Sequence, residues 1–190
     1  MSASPDDTDR TGDPAKQRRA FVLIPGAGGA AWYWHLVVPL LREAGHEAIA
    51  VDLPADDPAA GLPEYADLVI RAIGNRRCPV AAAEQGGYST EIDLGGYFLH
   101  DVPADVAAAG EPYQRPEADV AFGSVCDFSA WPPVPIRAVA GSDDRFFPVG
   151  FQQALARDRL GINADVLPGG HLISLSQPAR LAGFLLGVDA

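Results

Sequence analysis

The run Ala20-Phe21-Val22-Leu23-Ile24, stopped by Pro25-Gly26, constrains this chain more than any other stretch. Successive side chains of a strand point to opposite faces, so an unbroken apolar run suits a strand buried on both sides. Such a strand needs helices above and below it. Leu36, Val37, Leu40, Leu41 and Ala44 recur at helical spacing and predict a helix over 32–44, with Gly45 as its C-terminal cap. Glu47-Ala48-Ile49-Ala50-Val51, closed by Asp52-Leu53-Pro54, predicts a second strand, and Tyr65, Leu68, Val69, Ala72 and Ile73 return to the helical period.

The same alternation comes back near the other end. Residues 136–140 predict a strand, Phe151, Ala154 and Leu155 one face of a helix capped by Gly161, and residues 164–167 another strand. Ser176 then precedes a closing helix with Pro178 at its start and Leu181, Phe184 and Leu185 inside. Strands and helices alternating through short loops predict an α/β fold, a three-layer sandwich with a mostly parallel central sheet. Residues 1–18 are rich in Asp, Pro, Ser, Thr and Gly and predict a disordered tail, leaving 19–190 as a single domain. Between 79 and 133 Gly, Pro and Ala dominate, with a helical hint over 105–109; about 88–133 reads as a cap-like excursion.

Composition narrows the function classes. The net charge of -11 argues against a nucleic-acid partner, because phosphate binding needs clustered Lys and Arg. No apolar run reaches the roughly 18 residues of a membrane span, so a soluble chain is expected. Two cysteines, Cys78 and Cys126, and the lack of a charged-then-apolar leader fit a reducing cytoplasm. No His or Cys grouping has metal-ligand spacing, and neither metal nor cofactor is expected.

Ligands of open parallel sheets sit beyond the carboxyl ends of the strands, which directs attention to three loops. Pro25-Gly26-Ala27-Gly28-Gly29-Ala30 has small residues that let backbone N–H groups approach a ligand. Gly141-Ser142-Asp143-Asp144-Arg145 offers a carboxylate, and Gly169-Gly170-His171-Leu172 presents one imidazole. An acid followed by a histidine on successive strand ends is the second half of the order nucleophile, acid, base.

These segments carry a resemblance. Pro25-Gly26-Ala27-Gly28-Gly29-Ala30-Ala31-Trp32-Tyr33-Trp34, then Pro39-Leu40-Leu41 and Ala44-Gly45-His46 before Val51-Asp52-Leu53, resembles the opening of the α/β-hydrolase group of plant methylesterases, hydroxynitrile lyases and bacterial esterase-like proteins. Asp144-Arg145-Phe146-Phe147-Pro148 with Phe151-Gln152, and Pro168-Gly169-Gly170-His171-Leu172 with Leu175-Ser176, are similar to its closing segments. The resemblance covers most of 21–73 and 97–186. It implies an α/β-hydrolase fold in which Ala27, beside Gly28, supplies one oxyanion N–H, Asp144 is the acid with Asp143 as fallback, and His171 is the general base. Trp32, Tyr33 and Trp34 either line an acyl pocket or simply pack, and His100-Asp101 resembles cap sequence rather than a base with its acid.

One expected motif is missing. The family places G-x-S-x-G on a strained strand-to-helix turn, and no such string occurs in this chain. Three readings of the stretch stand open. Gly87-Tyr88-Ser89-Thr90-Glu91 is the nearest string and makes Ser89 the nucleophile. Residues 79–83 as a strand, followed by Glu84-Gln85-Gly86-Gly87, put Glu84 at the serine position. In the third, a segment is absent near Val80-Ala81, and the fold is shortened in its middle at the cost of core and of unpaired strand edges. Two functions follow: esterase-like hydrolysis of small carboxylic esters, or a non-catalytic relative that binds a small apolar ligand. Oligomeric state is not legible in the residues.

Overall fold

The computed structural model describes residues 18–74, 80–82, 93–124, 131 and 133–187. Strand β1 (Ala20–Ile24) lies between β2 (Glu47–Ala50) and β3 (Val80–Ala82), and both pairings are parallel. A second parallel pair joins β4 (Ala138–Gly141) to β5 (Ala164–Leu167), with Ala138 opposite Ala164. Among the described residues the expected sheet is seen as two parallel pieces, of three and two strands.

β1 is buried on both faces, as its unbroken apolar run predicts. Phe21 and Leu23 face one side, where they pack with Val37 and Leu41 of α1 (Val37–Glu43) and Leu181 and Ala182 of α8 (Pro178–Leu186). Val22 faces the other, against Val51 and Leu53, with Tyr65, Leu68 and Val69 of α2 (Leu62–Ile73) closing the layer. Fully burying side chains of this size contributes roughly 1.5–3 kcal/mol each, so β1 anchors both layers.

Several elements differ from expectation for local reasons. The stretch 32–44 is not one helix; a 3₁₀ turn (Ala31–Trp34) precedes α1. Pro39 would clash with the carbonyl of His35, one turn back, so the regular helix must start within a turn of the proline. The closing helix starts at Pro178 as expected, with Gln177 as its N-cap, while Ser176 ends a separate short helix, α7 (Ile173–Ser176). α6 (Val149–Leu160) ends at Gly161, whose φ of 69° suits the left-handed cap, but its inward residue is Ala156, while Phe151 is 53 % exposed. Between β3 and β4 the described residues form the short helices α3 (Leu94–Tyr97), α4 (Ala104–Gly110) and α5 (Asp119–Gly123), with a 3₁₀ turn (Glu111–Tyr113) after α4.

No helix among the described residues is long and apolar enough to cross a membrane.

Candidate active site

The carboxyl ends of β4 and β5 are zipped together past the last ladder pair. Ser142 N donates to Leu167 O at 2.8 Å and Asp143 N to Gly169 O at 2.9 Å. A Cβ on Gly141 would sit 2.5 Å from Gly170 O and 2.6 Å from Gly169 O, so only glycine permits this approach. The zipper brings Asp144 against His171, with Oδ2 3.0 Å from Nδ1.

Asp144 is held at every acceptor position. Its Oδ1 accepts from Phe146 N at 2.9 Å and Phe147 N at 2.8 Å, and its Oδ2 also accepts from Gln152 Nε2 at 3.0 Å. Gln152 is fixed in turn by donating to Phe147 O at 2.6 Å. Burial pushes the Asp144 carboxyl up, but the bonds from His171, Phe147 and Phe146 outweigh it and hold the group below its usual range. It is therefore ionised at neutral pH and can only accept, which assigns the hydrogen of the His171 pair to Nδ1 and leaves the Nε2 lone pair as the basic position. Phe98, Phe146 and Phe147 ring the imidazole at centroid distances of 4.6, 5.4 and 5.5 Å. Asp143, the alternative acid, instead accepts from Ser142 Oγ at 3.2 Å and is exposed.

The loop after β1 is built for close backbone approach. Gly28 and Gly29 have φ of 81° and 62°, and added Cβ atoms would meet Arg115 O at 2.9 Å and Leu53 O at 2.8 Å. Gly28 N donates to Glu117 Oε2 at 2.8 Å, while Gly28 O accepts from Arg115 Nε at 3.1 Å. Arg115 Nη2 also reaches Asp52 Oδ1 at 3.1 Å, the same oxygen that accepts from Ala31 N at 2.9 Å. Tyr65 donates its hydroxyl to Glu117 Oε1; burial first, and then that bond, push the phenol well up. Ala27 sits half-buried in this clamped loop. Trp32 is half-buried and stacks with His35 at 4.4 Å and with Tyr113 at 5.5 Å, with its ring edge where a Gly110 Cβ would be. Behind it, α7 packs on the 3₁₀ turn, tying the histidine loop to the first loop.

Ser89 and Glu84 lie outside the described residues, as do Cys78 and Cys126. The strand reading of 79–83 corresponds to β3 over its described part. Among the described residues no group of three or more His, Cys, Asp or Glu is placed to hold a metal ion. A cavity of about 460 Å³ opens beside the acid, lined by His100, Asp101, Ser142, Asp143, Asp144 and Arg145, among others. Sequence reasoning gave no role to Gln152, Arg115 or Glu117. The one signal for Gln152 is its place one turn into a helix that starts directly after the acid loop.

No protein-family model matches the chain. Norfluorocurarine synthase 1 of a Strychnos species is 33 % identical over 97 residues, 45 % of this chain and 36 % of the relative. Polyneuridine aldehyde esterase of Rauvolfia serpentina is 51 % identical over 41 residues, 22 % of this chain and 16 % of the relative. The chain thus spans about a third or less of the length of these curated relatives. In three dimensions it superposes on tomato methylketone synthase I, solved with beta-ketoheptanoate, with a TM-score of 0.75 at 15 % identity over 90 % of this chain and 98 % of the other. The chain has the α/β-hydrolase fold. Esterases recur among its curated and structural relatives.

Proposed function

We propose that this α/β-hydrolase-fold chain performs esterase-like hydrolysis of small, uncharged carboxylic esters, with His171 as general base and Asp144 as the acid that orients it. The observation that carries the reading is the 3.0 Å contact between His171 Nδ1 and a buried carboxylate that is itself bonded by Phe146, Phe147 and Gln152. That arrangement fixes one tautomer and frees Nε2 to take a proton from a hydroxyl and return it to the leaving alcohol. Ser89 is the candidate hydroxyl, Glu84 the alternative nucleophile. The Ala27 N–H, in a loop clamped through Gly28, is the candidate oxyanion donor. The excursion over about 88–133 serves as a cap in this reading, supported among its described residues by Phe98 against the His171 ring and by Glu117 and Arg115 on the Gly28 backbone. Trp32, stacked with His35 and Tyr113, serves this reading as packing rather than as pocket wall.

The test is turnover of a small neutral ester by wild type, His171→Ala and Asp144→Asn. Loss of about 10²- to 10⁴-fold in His171→Ala supports the reading. Equal rates in all three defeat it. A second reading, a ligand-binding relative without turnover, is favoured by the absence of a G-x-S-x-G string. It predicts no ester hydrolysis above buffer in wild type.

A further inference from the structure

One polar contact on the histidine loop comes from far away in the chain. Asp101 Oδ2 accepts from Gly170 N at 2.6 Å, across 69 residues, and Gly170 immediately precedes His171. The approach is close on every side. A Cβ on Gly170 would lie 2.6 Å from Asp101 Oδ1 and 2.7 Å from His100 Cε1, so the loop is glycine here because the side chains at 100 and 101 occupy the space. The same short segment sends Phe98 edge-on against the His171 ring, 4.6 Å between centroids. Val102 is buried and donates its N–H to Leu99 O, which fixes the turn that presents Asp101. On the opposite side the loop is closed by Gly141 and the bond from Asp143 N to Gly169 O.

His100 does not serve as partner to Asp101. Both ring nitrogens of His100 and Oδ1 of Asp101 are buried without a hydrogen-bond partner, at the edge of the cavity that Asp144 also lines. The one polar contact found for the Asp101 carboxylate among the described residues is therefore the Gly170 N–H. An acceptor 2.6 Å from the backbone N–H that directly precedes the base restricts where that part of the loop can stand.

We propose that Asp101 is a positioning residue for His171: its carboxylate pins the Gly170 amide and so holds the imidazole in register with Asp144. The proposal deepens the esterase reading and rests on it for its catalytic meaning, but the contact can be tested without ester turnover.

The experiment follows the His171 Nδ1 proton by NMR in wild type, Asp101→Asn and Asp101→Ala, with His171→Gln to assign the resonance. A proton bonded to a carboxylate resonates far downfield of the amides and exchanges slowly with solvent. Asn keeps a carbonyl acceptor for Gly170 and should preserve the signal. Ala removes the acceptor and should broaden the signal away or speed its exchange at least about ten-fold, as expected on leaving a buried donor unsatisfied. If Asp101→Ala does not melt cooperatively, Asp101→Ser, whose hydroxyl is too short to reach, takes its place. A folded Ala or Ser variant whose Nδ1 proton is indistinguishable from wild type overturns the proposal, as does an Asn variant that loses the signal as completely as Ala. Absent ester turnover with the NMR pattern intact would defeat the esterase reading alone.

Discussion

Asp144→Asn perturbs the site at its most connected atom. When the asparagine carbonyl takes the Oδ1 position, Phe146 N and Phe147 N keep their acceptor. The amide then turns its hydrogens toward Gln152 Nε2 and His171 Nδ1, two groups that donate to Oδ2 in the native chain. Two bonds to a charged acceptor are lost at a side chain only 5 % exposed, so water cannot replace them. Each such bond contributes roughly 1.5–3 kcal/mol, and removing a buried charge offsets part of the loss, leaving about 2–4 kcal/mol. For a chain of this size that corresponds to a melting temperature lower by roughly 5–12 °C. The imidazole can rescue its contact only by moving its hydrogen to Nε2, which abolishes the basic position. Ester turnover should fall by about 10⁴-fold, the penalty of the wrong tautomer in a triad. Thermal melting and an ester assay on the same preparation check both numbers. A variant that melts within a degree of wild type and keeps its rate would refute the assignment of Asp144.

Because the native Asp144 carboxyl is held below its usual value, the stability it contributes is complete above the free carboxyl's ordinary pKa of about 3.9 and is lost as pH falls through the lower folded value. Denaturant melts should therefore show the wild-type advantage over Asp144→Asn constant above about pH 5 and closing below about pH 4. Gly141→Ala places a methyl 2.5 Å from Gly170 O and should part the acid and base loops, costing about 1–3 kcal/mol in melts and most of any ester turnover. Glu117→Ala frees the Gly28 N–H and the Tyr65 hydroxyl and should cost about 1–3 kcal/mol, with faster amide exchange over 26–31 by mass spectrometry; unchanged exchange would show that the clamp does not hold the loop. Leu41→Ala, at a fully buried position between β1 and α8, should cost about 2–5 kcal/mol in the same melts.

What the sequence made legible was local. β1 occupies its apolar run, β5 the predicted residues 164–167, and Gly161 caps the expected helix, because those signals depend on neighbours in the chain. Asp144 and His171 were readable as a pair because the loops that carry them follow successive strands. The rest depends on partners the chain brings from a distance. Gly28 meets Glu117 across 89 residues, and nothing in either local sequence announces it. Phe151 reads as an inward residue by helical spacing, yet α6 turns Gln152 inward to hold Asp144 and leaves Phe151 half in solvent. Pro39 carries the signal for the break before α1, but the regular spacing of Leu36, Val37, Leu40 and Leu41 masks it.

In the proposed reaction the His171 imidazole, oriented by Asp144, activates a nucleophile supplied after β3. Labelling the folded protein with a fluorophosphonate, followed by peptide mapping, should give one adduct, on Ser89, that disappears in His171→Ala. A cooperatively melting wild-type protein with no adduct, or one labelled equally well without His171, would contradict it.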